Sequence, residues 1–372
     1  MPEEKSTKKN DTSDFLIDEI MEKVIEKRAS DLHLSSELPP TIRVSGILQP
    51  LPGFQKLDQE DVTYLVSQLL TEDQLAELFE TKEMDSSYQL GDKGRFRVNI
   101  YFERRKLAIA MRYIPSKLPT LEDLNMPPML YEFCKLPQGL VLVTGATGSG
   151  KSTTIAALIN WLNQNKNAHI ITIEDPVEFR FESDKCLIHQ RELRIDTLAW
   201  TNALKSALRE DGDILLVGEI RDPETMTLAL SAAEKGHLVF ATIHTYSAEQ
   251  TVDHVISMYP EHQQELARMQ LSNTLEGTIT QTLLIGADKS KRYPAIEIMI
   301  ANNAIRNIIR EGNSHFIYNT INTSFDQGMI TMEKSLGELV NSGKVTQEEA
   351  LSKAKRPQEV LRYIDKDKLN KK

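Results

Sequence analysis

Gly145-Ala146-Thr147-Gly148-Ser149-Gly150-Lys151-Ser152 fits the pattern G-x-x-x-x-G-K-[ST], and its flanks decide how it reads. Before it runs Leu140-Val141-Leu142-Val143, a short uncharged apolar stretch with the character of a buried strand. After it, Ile155, Leu158, Ile159 and Leu162 recur at helical spacing. Strand, glycine-rich turn and helix in that order make a phosphate-binding loop. Glycine lets backbone amides approach an anion without a Cβ in the way, and the helix N-terminus adds partial positive charge. Lys151 is placed to reach the β and γ phosphates of a nucleoside triphosphate, and the Ser152 hydroxyl to meet Mg²⁺. Gly145, Thr147, Gly148, Ser149, Gly150, Lys151, Ser152 and the adjoining Thr153 are the candidate nucleotide-binding residues.

The chain has 372 residues, enough for two domains with separate cores. Its net charge of -10 argues against a large nucleic-acid-binding face. No apolar run has the length of a membrane span, and the charged start Met1-Pro2-Glu3-Glu4-Lys5 lacks the apolar centre of a signal peptide, so a cytoplasmic protein is expected. Cys134 and Cys186 are too few for a four-cysteine zinc site and are expected as free thiols.

Residues 1–13 are polar without periodicity and are expected to be a disordered tail. Residues 14–113 read as a small mixed α/β domain. A helix begins near Phe15, strands follow at Ala29 to Leu34, Thr41 to Val44 and Ile47 to Pro50, helices cover Gln59 to Leu70 and Thr71 to Phe79, and Gly94 to Tyr101 with Lys106 to Ile114 form a hairpin. Residues 114–120 carry two prolines and read as a linker. From 121 to 372 strands alternate with helices: Leu140 to Thr144, Ile170 to Glu174, Ile214 to Gly218 and Leu238 to Thr242. That alternation predicts a parallel sheet covered on both faces, with ligand at the carboxyl ends of its strands. Beyond Pro260 the pattern is helical apart from a hairpin of Thr280 to Ile285 and Ala295 to Ile300.

Three acidic or histidine groups fall near those strand ends. Glu219 follows the apolar run Ile214-Leu215-Leu216-Val217, with Gly218 where an acidic residue is usual. It is the candidate catalytic base; alternatively it serves Mg²⁺ through water, or simply pairs with Arg221. Glu174, in Ile173-Glu174-Asp175-Pro176, is expected to share the work of holding the ion and aligning water, with Glu178 nearby. His237 and His244 bracket the strand Leu238 to Thr242; His244, with Thr242, is the candidate sensor of the γ-phosphate, and His237 the weaker one. In the small domain Arg97, beside Arg95 across Phe96, and Arg112 read as a solvated face or, in a ring, as arginines supplied to a neighbour's phosphates.

The chain resembles the retraction ATPases of type IV pili, within the secretion ATPase superfamily, from Ala29 to about Leu361. The resemblance rests on Ala29-Ser30-Asp31-Leu32-His33-Leu34, Arg95-Phe96-Arg97-Val98-Asn99, the phosphate loop and Thr172-Ile173-Glu174-Asp175-Pro176-Val177-Glu178-Phe179. It continues through Gln190-Arg191-Glu192, Val217-Gly218-Glu219-Ile220-Arg221-Asp222, the stretch Gly236 to His244, and Ala304-Ile305-Arg306-Asn307-Ile308-Ile309-Arg310-Glu311. It implies a PAS-like N-terminal domain, a RecA-like P-loop NTPase motor domain, ATP and Mg²⁺ as ligands, a homohexameric ring, Glu219 as the catalytic glutamate, and Arg97 and Arg112 as nucleotide contacts. Partners implied are an inner-membrane pilus platform protein and, through it, pilin, with the ring peripheral at the membrane. The last segment, whose Ile305, Ile308 and Ile309 share one helical face opposite Arg306, Asn307 and Arg310, is implied in retraction rather than hydrolysis. Departures are Ala146 where proline is usual, the stretch Ile330-Thr331-Met332-Glu333 and the charged tail. The competing expectations are an accessory retraction subunit with weak turnover, and a pilus assembly or secretion ATPase, whose larger N-terminal region and four-cysteine insertion are missing. A nucleic-acid translocase is disfavoured by charge.

Overall fold

The computed structural model describes residues 16–44, 46–115, 118–289 and 291–365, and the chain divides into two compact units, residues 1–116 and 117–372. The expected tail at 1–13 lies outside the described residues, as do two positions of the expected linker.

The first unit is one antiparallel sheet of six strands: β1 (Asp31–Ser35), β2 (Thr41–Val44), β3 (Ile47–Pro50), β4 (Glu83–Leu90), β5 (Gly94–Glu103) and β6 (Lys106–Pro115), in the order β3-β2-β1-β6-β5-β4. Alternation sorts its faces. Leu32, Leu34, Phe96, Val98, Ile100, Ile109 and Met111 are buried against helices Ile17–Glu26, Gln59–Leu69 and Glu72–Thr81. Reciprocal capping boxes start two of these helices, Asp58 with Asp61 and Thr71 with Gln74. The edge strand β4 escapes sequence reading because Glu-Met-Asp-Ser-Ser-Tyr-Gln-Leu is mostly polar; it forms because β5 offers it a full ladder of partners.

The second unit is built on a seven-stranded sheet: β7 (Gly139–Thr144), β8 (His169–Glu174), β9 (Leu187–Glu192), β10 (Ile214–Val217), β11 (Leu238–Ile243), β12 (Leu275–Ile285) and β13 (Arg292–Ile300), ordered β13-β12-β7-β11-β10-β8-β9. Six strands run parallel and β13 alone is antiparallel, to β12. Both faces are covered. Leu140 and Leu142 of β7 enter a core with helices Trp200–Ala207, Pro223–Glu234, Ala248–Ser257 and Gln264–Thr274, while Val141 and Val143 enter one with helix Lys151–Asn165. The α/β class with a covered parallel sheet is therefore as expected. Two features differ from the sequence reading: β9 adds an edge strand, and the late hairpin is part of the central sheet, because β12 begins five residues earlier than read and pairs in parallel with β7 from Leu275.

Candidate functional site

The loop 145–150 leaves the carboxyl end of β7 and turns directly into helix Lys151–Asn165. Gly145 has φ +141, and a Cβ there would strike the Gln281 carbonyl and come within 2.6 Å of Ser149 Oγ, so β12 crowds the loop from one side. Gly150, at φ +92, occupies the N-cap position, where the first helical N–H groups have no intrahelical acceptor. Thr147 and Gly148 are exposed, Ser149 and Lys151 buried, and Ser152 and Thr153 half-buried on the first turn. Lys151 Nζ donates to the carbonyls of Gly145 at 2.9 Å and Ala146 at 3.0 Å. Burial pulls its pKa down, and the nearby charges of Glu219 and Glu178 oppose that shift.

Glu219 is held between two neighbouring strand ends. Gly218 N–H donates to Ile173 O at 2.8 Å, Thr242 Oγ1 donates to Gly218 O, and Ile220 N–H donates to Thr242 O at 3.0 Å. Glycine at 218 has a local reason: a Cβ there would lie 3.2 Å from Glu174 Cα and from Ile173 O. The Glu219 carboxylate meets Arg221 Nη2 at 2.7 Å and His244 Nε2 at 3.2 Å, and His244 Nδ1 lies 3.5 Å from Thr147 Oγ1. Burial pushes the Glu219 pKa up, but the Arg221 hydrogen bond and the charges of His244, Arg221 and Lys151 outweigh it, leaving the group below the ordinary carboxylate value. The structure thus brings Lys151, Glu219, His244 and Thr147 together, and the Arg221 pairing named as an alternative coexists with that grouping.

Glu174 closes β8, one strand over. Its carboxylate accepts from Thr172 Oγ1 at 2.7 Å and Gln190 Nε2 at 3.3 Å. Burial pushes its pKa up to about 7, against those hydrogen bonds. The stretch Gln190-Arg191-Glu192 on β9 fastens the loop that follows: Gln190 bonds the backbone of Phe179 and Phe181, and Glu192 accepts from Val177 N–H at 3.2 Å.

His237 is elsewhere. It precedes β11, its carbonyl accepts from Gly139 N–H and its Nδ1 meets Ala232 O at 3.0 Å, so it sits at the amino end of the strand, roughly 20 Å along from the loop at ~3.3 Å per residue. Arg97 and Arg112 are cross-strand partners in the first unit, on the sheet face away from its helices; Arg112 Nε bonds Asp31 at 2.9 Å. Sequence reading missed Gln281, 2% exposed beside the loop. The available signal was a lone amide among the threonines of Thr278-Ile279-Thr280-Gln281-Thr282, just ahead of the apolar run Leu283-Leu284-Ile285.

Among the described residues no three or more His, Cys, Asp or Glu side chains cluster as a metal cage. A Mg²⁺ ion takes one or two protein oxygens and completes its shell with phosphates and water, and the half-buried Ser152 hydroxyl on the first helical turn is an oxygen of the kind it accepts.

The family model for type II/IV secretion system proteins matches residues 6–362. The chain belongs to that family. Within the secretion family it is 46% identical over 344 residues to the type IV pilus retractation ATPase PilT of Pseudomonas aeruginosa, covering 92% of this chain and 99% of that protein. It is 45% identical over 315 residues to a twitching motility protein of Neisseria gonorrhoeae, covering 85% and 84%. The crystal structure of the pilus retraction motor PilT with bound ADP superposes with a TM-score of 0.86 at 40% identity, covering 94% of this chain and all of that one. The resemblance to retraction ATPases read from the motifs holds over nearly the whole chain, and the fold of a small domain followed by a RecA-like ATPase domain is the one these family members share.

Proposed function

We propose that this chain hydrolyses ATP to power retraction of type IV pili. The observation that carries the reading is the grouping of Lys151, Glu219 and His244 around the phosphate loop, in a chain that matches a retraction ATPase over 92% of its length. Lys151 leaves its two loop carbonyls to meet the β and γ phosphates. Glu219, ionised at neutral pH, orients the attacking water and takes its proton as the phosphorus–oxygen bond to ADP breaks. His244 bridges Glu219 and the loop through Thr147, which suits it to report loss of the γ-phosphate. Magnesium, held by the Ser152 hydroxyl, would supply charge neutralisation to the phosphates.

The motor works as a homohexamer in which Arg97 and Arg112 reach the neighbouring subunit's nucleotide, and it acts on an inner-membrane platform protein, and through it on pilin, from the cytoplasmic side. Among the described residues no helix is long and apolar enough to cross a membrane. Glu219→Gln tests the reading: ATP binding should persist, turnover should fall about 10²–10⁴-fold, and pili should accumulate without retracting. Normal turnover with normal retraction would refute the role of Glu219 and move the base to Glu174.

A further inference from the structure

Parallel pairing between β7 and β12 ends at Thr144 opposite Thr280, whose hydroxyls are 2.8 Å apart. The next residue, Gln281, therefore lies beside the first residue of the phosphate loop. Both ends of its amide are used. Nε2 donates to Ser149 O at 2.6 Å, and Oε1 accepts from Thr154 Oγ1, 1% exposed, at 2.9 Å. A side chain that is donor at one end and acceptor at the other thus links the loop to the second turn of the helix it feeds. Leucine of similar size would leave the buried Thr154 hydroxyl without this acceptor and Ser149 O without this donor.

We propose that Gln281 is a positioning residue for nucleotide binding, acting through the Ser149–Gly150 peptide. A trans peptide is planar, with C=O and N–H on opposite sides. Fixing the Ser149 carbonyl toward Gln281 therefore aims the Gly150 N–H away from β12, on the side where the helix N-terminus offers its amides to an anion. Both the backbone and the space at this unit call for glycine: Gly150 takes φ +92, and a Cβ there would lie 3.0 Å from Gln281 Nε2. Two further loop carbonyls are held as well, Gly145 O and Ala146 O by Lys151 Nζ. When Lys151 turns to the phosphates those two bonds are given up, and the Gln281 bond stays, alongside the turn bond from Ser149 N–H to Ala146 O at 3.1 Å, as the side-chain tie that keeps Ser149 O in place. Since this amide serves the phosphates that ADP and ATP have in common, Gln281 governs affinity for both nucleotides and leaves the Glu219 and His244 chemistry alone.

The inference rests on the reading that this loop holds nucleotide. Gln281→Met keeps the length and apolar packing and removes both hydrogen bonds; Gln281→Glu keeps the acceptor for Thr154 and, when ionised, sets a charged acceptor in place of the donor to Ser149 O. In the full-length protein, both variants should raise Kd for ADP and KM for ATP about tenfold with kcat within twofold of wild type, as expected for loss of the buried hydrogen bond to Ser149 O, the one that both variants lack. Thr154→Val, which frees the amide to rotate, should shift affinity in the same direction by about threefold. Should Gln281→Met fail to fold, Gln281→Glu and Thr154→Val carry the test. Wild-type ADP affinity in Gln281→Glu, or a lowered Tm with unchanged Kd, overturns the inference while the nucleotide reading stands. A wild-type protein with no affinity for ADP overturns both.

Discussion

Replacing Glu174 by Gln separates what this carboxylate costs the fold from what it gives the reaction. Burial at the end of β8 moves its pKa from the ordinary 4.5 to about 7, in spite of hydrogen bonds from Thr172 and Gln190. A group whose folded pKa is raised binds its proton more tightly in the folded state, so the folded chain loses stability as pH climbs from about 4.5 to 7 and stays penalised above that. The shift corresponds to about 3 kcal/mol at pH 8, at ~1.4 kcal/mol per unit. Glutamine is neutral at every pH and its one oxygen still accepts from Thr172 and Gln190, while the bond from the Glu178 backbone is given up. In thermal unfolding followed by circular dichroism, Glu174→Gln should melt several degrees above wild type at pH 8, at ~2–4 °C per kcal/mol for a unit of this size. The gap should close to within about 2 °C at pH 5. If Glu174 aligns water or the ion as a carboxylate, the same variant loses at least tenfold in turnover, and wild-type turnover rises from pH 6 to 8 while that of the variant does not. An equal melting gain at both pH values, or none at pH 8, would refute the argument from ionisation. Such an exchange of stability for activity is what a buried, functional carboxylate should show.

Lys151→Ala relieves the burial of a cation and gives up its bonds to Gly145 O and Ala146 O, so the apo protein should melt close to the wild-type temperature while fluorescent-nucleotide titration shows at least a tenfold loss of affinity; retained hydrolysis would contradict its role. In helix Asn303–Glu311, Arg306 is turned inward, bonding Ser272 O, Asn273 O and Glu276, whereas Arg310 is exposed and meets Asn307. Arg306→Ala should cost about 2–3 kcal/mol in chemical denaturation and Arg310→Ala under ~0.5 kcal/mol; equal effects would undo the distinction.

The two arginines illustrate what pattern reading resolves. Helical spacing placed Arg306 and Arg310 together opposite Ile305 and Ile309, and Ile305 and Ile309 are indeed buried. Spacing carries no record of the carbonyls at the end of helix Gln264–Thr274, which draw Arg306 back against the protein. Similarly, His237 and His244 look symmetric about one strand in sequence, yet in a parallel sheet only the carboxyl end meets the loop.

The chain's order of residues was sufficient for the phosphate loop, the covered parallel sheet and the acidic and histidine residues at its strand ends, since each depends on contacts local along the chain: a glycine turn, a period of two or of 3.6, a residue just past an apolar run. Tertiary structure alone decided that β12 lies against β7, that Gln281 reaches Ser149 and Thr154 from more than 120 positions away, and that Glu219 and His244 meet. Those contacts depend on which strands become neighbours, and neighbour choice is set by the packing of both sheet faces at once, a quantity that no short window of sequence contains.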